Sequence, residues 1–188
     1  MRWTEIAKSA GPPPEYNRAS LRPISVTELI DVPRERVFDL LTDLSIRPSF
    51  TDHFMTDYRL QRIEPVGVGA AARFRLDHWR GWADTAIQIA DRPHLIREQG
   101  QGGHVNRVGL VTVWELAEGP SPASTELTVT FWTEPANIFD RIKERGAHRK
   151  LKRDWKRALR RLRAIAEEGA AVDRVTVAGG DVLPAFAR

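Results

Sequence analysis

Residues 24–44, Ile-Ser-Val-Thr-Glu-Leu-Ile-Asp-Val-Pro-Arg-Glu-Arg-Val-Phe-Asp-Leu-Leu-Thr-Asp-Leu, change their hydrophobic period half-way, and that change sets the fold. From Ile24 to Ile30 apolar and polar side chains alternate and β-branched residues dominate, which predicts a strand. Asp31-Val32-Pro33 then turns the chain. Pro33 suits the first turn of a helix, and Val37, Phe38, Leu40, Leu41 and Leu44 follow at helical spacing. Pro48 and Ser49 favour a fresh helix start, so a second short helical turn is expected within Arg47–Phe54.

Downstream the pattern becomes a meander. Strands are predicted at 58–64, 70–78, 82–91, 94–99, 105–117 and 125–134. Turn signals separate them: Gly67 and Gly69, Arg80-Gly81, Arg92-Pro93, the glycines at 100, 102 and 103, and Glu118-Gly-Pro-Ser-Pro122. Gly100-Gln-Gly-Gly103 lacks a following Lys-Ser/Thr and leads into a strand, so it reads as a hairpin and not as a phosphate loop.

The last regular segment carries the positive charge. Between Ile138 and Glu168 twelve Lys or Arg face five acids, a surplus of seven in a chain whose net charge is +4, so the rest is net negative. Leu151, Trp155, Ala158, Leu162 and Ile165 recur at intervals of three and four, making a helix with one apolar stripe and a basic back. Ile138, Phe139 and Ile142 point almost opposite on the same wheel. A break at Gly146 is therefore expected, giving helices over 138–145 and 147–168, with Asn137 as N-cap and Gly169 as stop. The basic back is either a solvated face or a contact for nucleic acid or anionic membrane. No aromatic residues are interleaved to stack on bases and no nucleic-acid motif accompanies it, so no specific nucleic-acid partner is expected.

Composition removes several chemistries. The 188 residues suit one core-bearing domain, expected at 23–169, with a peripheral leader over 1–22 broken by Pro12-Pro13-Pro14 and a tail over 170–188. The tail is expected to dock as an extra strand or an arm, or to be disordered. No apolar run is long enough for a transmembrane segment, and Thr4, Glu5, Lys8 and Ser9 interrupt any signal-like stretch, so a soluble, cytoplasmic protein is expected. The absence of cysteine excludes disulfides, thiolate nucleophiles and Cys-ligated metals. His53, His78, His94, His104 and His148 show no HExxH or close His-x-His spacing, so neither a metal site nor a cofactor is expected. No G-x-S-x-G occurs to support a serine hydrolase.

The order is thus β, α, α, six β, α. It predicts an α+β fold, a seven-stranded antiparallel sheet wrapped around a long C-terminal helix with a cavity between them. On these residues the sequence resembles the SRPBCC, or START-like, superfamily, in its polyketide cyclase/dehydrase-type branch. The resemblance spans about Ile24–Gly169 and rests on ISVTELIDVPRERVFDLLTDL, GVGAAARFR, IQIADRPHLIRE and VWELAEG…STELTVTFWTEP. It implies a helix-grip fold with a deep hydrophobic cavity for lipids, sterols, polyketides or hormones, and in a minority of members cyclisation or dehydration.

Strand parity proposes the lining. Phe74, Leu76 and His78 share one face, as do Thr85, Ile87 and Ile89; Leu110, Thr112, Trp114 and Leu116; and Leu127, Val129 and Phe131. Trp155 looks back from the helix. The expected ligand-binding set is Glu28, His53, Phe74, His78, Thr85, Ile87, Thr112, Trp114, Phe131 and Trp155. Glu28 lies on the inward face of the first strand, where a carboxylate orients a ligand hydroxyl, works as an acid/base with His78, or simply pairs with an arginine. His53 either guards the pocket mouth or caps local backbone. The leading expectation is binding of a small hydrophobic or aromatic molecule. The alternatives are a metal-free cyclase or dehydratase, a lyase or isomerase in type, and a basic docking module; no catalytic residue is assigned, and oligomeric state and ligand identity are not legible.

Overall fold

A computed structural model describes residues 22–77, 81–103, 108–135, 138–169, 172 and 174–176. The period change at residues 31–33 is realised as strand β1 (Ile24–Ile30) followed by helix α1 (Arg34–Thr42). Pro33 stands just before the helix, its carbonyl accepting from the amides of Arg36 and Val37. The Asp43 carboxylate caps a 3₁₀ turn over Leu44–Ile46 by accepting from the Ser45 amide, 2.9 Å. Pro48 then starts a four-residue helix, α2 (Pro48–Thr51).

Six strands follow: β2 (Met55–Leu60), β3 (Ala71–Leu76), β4 (Trp82–Asp91), β5 (Leu95–Gly102), β6 (Val108–Glu118) and β7 (Thr125–Pro135). With β1 they form one antiparallel sheet in the order β1-β7-β6-β5-β4-β3-β2, so β2 to β7 pair in sequence order, β1 pairs with β7, and β1 and β2 are the two edges. Register shifts between Thr56 and Arg59 in β2 and between Ile87 and Ile89 in β4 are the bulges that increase local twist and bend a sheet. The concave face receives α3 (Ile138–Glu168), whose Leu151, Trp155, Ala158, Leu159, Leu162 and Ala166 are buried. This is the α+β, helix-grip-like architecture, with its core between sheet and helix.

Three expectations change. The break at Gly146 does not occur, and α3 runs unbroken for 31 residues. A single glycine costs a helix only about 1 kcal/mol, and the two apolar faces do not compete because Ile142 is left 65% exposed. Asn137 lies outside the described residues; Gly169 ends α3 as expected, in the left-handed conformation at φ +65°. The second strand begins at Met55 and not Tyr58, because the bulge at Asp57 hides its alternation. Finally, Gly100 and Gly102 belong to β5, not to the connection after it.

Gly100 has a packing role. A Cβ there would collide with the backbone carbonyl of Asp84 and the Cα of Thr85 on β4, atoms that cannot swing aside. Gly100→Ala is accordingly expected to destabilise the fold by about 3 kcal/mol, read as a lowered urea midpoint with an unchanged m-value.

Candidate functional site

The interior between sheet and helix is polar at one point. Glu98 shares the inward face of β5 with Ile96, and its carboxylate meets the Arg47 guanidinium at 2.7 Å with both side chains only 3% exposed. The Trp114 indole N–H donates to the same Glu98 oxygen at 2.7 Å, and the Thr85 hydroxyl to the other at 3.3 Å. Arg47 also donates to the carbonyl of Leu41 and lies over the Trp114 ring, 4.8 Å from its centroid. A buried ion pair is sustained only when its remaining lone pairs and protons are satisfied, and here strands β4, β5 and β6 and the end of α1 all contribute partners.

Around this node the interior is aromatic. Trp155 meets Phe54 and Trp114 edge-on at 5.2 and 5.4 Å and lies tilted against Phe131 at 6.0 Å. Tyr58 stacks on Phe74. Between these rings is a cavity bounded by Arg47, Tyr58, Thr85, Glu98, Thr112 and Trp155 on its polar side and by Phe54, Met55, Phe74, Leu76, Leu110, Phe131 and Leu151 on its apolar side. Its free volume is about 20 Å³, room for roughly one water molecule. The deep hollow implied by the resemblance is thus largely filled by side chains in this conformation.

Three polar atoms of the lining residues, Arg47 Nε, Tyr58 Oη and Trp155 Nε1, are buried without a hydrogen-bond partner among the described residues. Burial pushes the Tyr58 hydroxyl well above its ordinary pKa of 10.0, with Glu98 and Asp43 adding to the rise and Arg47 opposing it.

Of the expected set, Phe74, Thr85, Thr112, Phe131 and Trp155 line the cavity. Trp114 and Ile87 are fully buried behind it, the former as a hydrogen-bond donor to Glu98. Glu28 does not reach the lining: its carboxylate lies 3.6 Å from Arg163 of α3, which also bonds Glu167. The inward parity of β1 is kept, but at that height the inner face meets the flank of the helix. His53 accompanies α2 to α3, with Nε2 3.0 Å from the Asp154 carbonyl and Nδ1 3.3 Å from Arg161. Arg161 also bonds Asp52, whose carboxyl it holds below the ordinary range. His78 lies outside the described residues. The basic back of α3 is mainly solvent-facing, with Lys150 paired to Asp77 and Asp154.

The lining residues that sequence reasoning missed are Arg47, Phe54, Met55, Tyr58 and Glu98. Glu98 was within reach, because Ile96 and Glu98 share a parity in Leu95–Gly100. Arg47 has no such signal, since it sits between two helical turns. Among the described residues no cluster of His, Asp or Glu is placed to hold a metal, and no helix is long and apolar enough to cross a membrane.

A family model described as polyketide cyclase / dehydrase and lipid transport matches residues 23–167. The chain belongs to that family. Among solved structures, this family member is similar to the KanY protein (17% identity, TM-score 0.60, covering 77% of this chain and 97% of that one). It is also similar to protein CV1439 of Chromobacterium violaceum (16%, 0.56, covering 78% and 99%). DynU16, from the dynemicin biosynthetic locus, matches at 18% identity and TM-score 0.54, with 78% of this chain covering 48% of that one. At such identities the likeness shows the fold alone. No curated protein matches the sequence.

Two outcomes follow from the node. Arg47→Met and Glu98→Gln each leave a buried charge without its partner and are expected to cost about 3–5 kcal/mol, whereas the double variant costs much less than their sum; a urea double-mutant cycle measures the difference. For Tyr58 the folded pKa lies above the unfolded one, so its stabilising effect is complete below about pH 10 and is lost as pH rises toward the folded value. In a Tyr16→Phe variant, where Tyr58 is the remaining tyrosine, the tyrosinate absorbance step is expected only well above pH 10, at or with unfolding.

Proposed function

We propose that the protein binds a small, mainly aromatic molecule carrying an acceptor oxygen in the cavity between the sheet and α3. The observation that supports this reading is the mismatch in the lining. Arg47 Nε and Trp155 Nε1 are donors that cannot accept, and Tyr58 donates equally well, yet all three are buried without a partner among the described residues, beside the same cavity. Leaving each such group unsatisfied costs about 1–3 kcal/mol. A carbonyl, phenolic or carboxylate oxygen relieves that cost, and the surrounding rings of Phe54, Phe74 and Phe131 suit an aromatic body.

Entry requires the cavity to enlarge. Met55 on the edge strand β2 and Leu151 on α3 both line the cavity, so a displacement of either side chain enlarges the space. Methionine repacks at low cost.

A cyclase-like role in the same cavity has less behind it. Glu28 pairs with Arg163, so it offers no partner for acid/base chemistry at the lining, and Glu98 is already engaged by Arg47, Trp114 and Thr85.

Solvent extraction of the purified protein followed by mass spectrometry is expected to release an aromatic molecule bearing such an oxygen. With 2-naphthoate as probe, Trp155→Phe, which keeps the ring and removes the N–H, is expected to weaken binding about fivefold or more, and Leu110→Trp, which fills the cavity, to abolish it. Equal binding by wild type and both variants overturns the reading.

A further inference from the structure

The β2–β3 hairpin, on the far edge of the sheet from β1, exposes aliphatic side chains and arginines together. Its connection leaves Ile63 86%, Val66 51% and Val68 64% exposed. The connection is firmly held: Val66 forms an antiparallel bridge with Asp43, the Leu44 amide donates to Pro65 and the Gly67 amide to Thr42. The three aliphatic residues are therefore presented by a backbone-bonded turn and not by a loose end.

Behind them the outer face is basic. Arg59 and Arg73 are direct cross-strand partners, and Arg73 has Asp84 of β4 opposite it on its other side. With Arg75 they surround one indole, their guanidinium carbons 5.6, 5.1 and 4.7 Å from the Trp82 ring. Arg62 stands exposed beside Ile63. Between Asp57 and Arg75 these four arginines face two acids, Asp57, which is 3.4 Å from Arg75, and Glu64.

We propose that this hairpin docks the protein on an anionic lipid bilayer, with Ile63, Val66 and Val68 entering the interface and Arg59, Arg62, Arg73 and Arg75 contacting lipid headgroups. The three aliphatic side chains expose roughly 300 Å² at a turn, well short of the about 800 Å² per partner of a stable protein interface. The same amount suffices for interfacial insertion when basic residues add their attraction to anionic lipid. Trp82, half-buried among the arginines, has the amphipathic ring favoured at that depth. The turn bonded to this hairpin also carries Arg47 into the interior, so the docking edge and the cavity share a structural element.

The inference is independent of any cavity ligand and is tested by co-sedimentation with vesicles. The full chain is expected to bind phosphatidylglycerol/phosphatidylcholine vesicles at least tenfold more tightly than pure phosphatidylcholine, with steep loss on adding salt. Arg59→Gln/Arg73→Gln is expected to weaken binding roughly twentyfold and Ile63→Ser/Val68→Ser about tenfold, while Arg153→Gln/Arg157→Gln/Arg160→Gln on the back of α3 has a smaller effect. All are surface changes, and circular dichroism verifies the fold. Equal binding to both vesicle types overturns the proposal. So does wild-type binding by both hairpin variants with loss in the α3 variant, which transfers the contact to the helix. A hairpin variant that changes sedimentation mass while binding vesicles as wild type assigns the surface to a second copy and likewise overturns it.

Discussion

An arginine and a glutamate sealed inside an aromatic core constrain everything around them. The separated charges are intolerable there, so Arg47 and Glu98 have to meet, and Trp114, Thr85 and the Leu41 carbonyl complete the arrangement. That requirement fixes the turn between α1 and α2 over the centre of the sheet, and with it the height at which Phe54 reaches Trp155.

The same pair divides the interior into zones. Trp155 is packed by three rings, while its N–H, the Tyr58 hydroxyl and the Arg47 Nε lie beside a space too small for anything but water. Uncompensated donors of this kind are a cost to the closed protein and a source of affinity for whatever supplies their acceptors. The family assignment rests on a match over residues 23–167; the proposed ligand chemistry rests on these particular side chains.

Much of the architecture was legible beforehand. Alternation in Ile24–Ile30, the helical spacing of Val37–Leu44 and the stripe from Leu151 to Leu162 each express a local period, and each element formed where its period lies. Failures fell where a local rule met a tertiary one. The glycines of β5 suggest a turn, but Gly100 is glycine because another backbone presses against it. Gly146 reads as a helix break only if both apolar faces need burial, and Ile142 is left in solvent. For the site, strand parity brought Phe74, Thr85, Thr112 and Phe131 to the lining and the helical stripe brought Trp155, yet parity gave Glu28 a direction without a depth, and the helix flank intercepted it.

The sequence by itself determined the element order, the antiparallel meander, the buried stripe of the last helix and the exclusion of thiol chemistry, because each depends on residue type or on spacing along the chain. Only the tertiary structure decided that Arg47 meets Glu98 and that the cavity is nearly closed. Such facts depend on distances between residues far apart in the chain, and local periodicity carries no information about them.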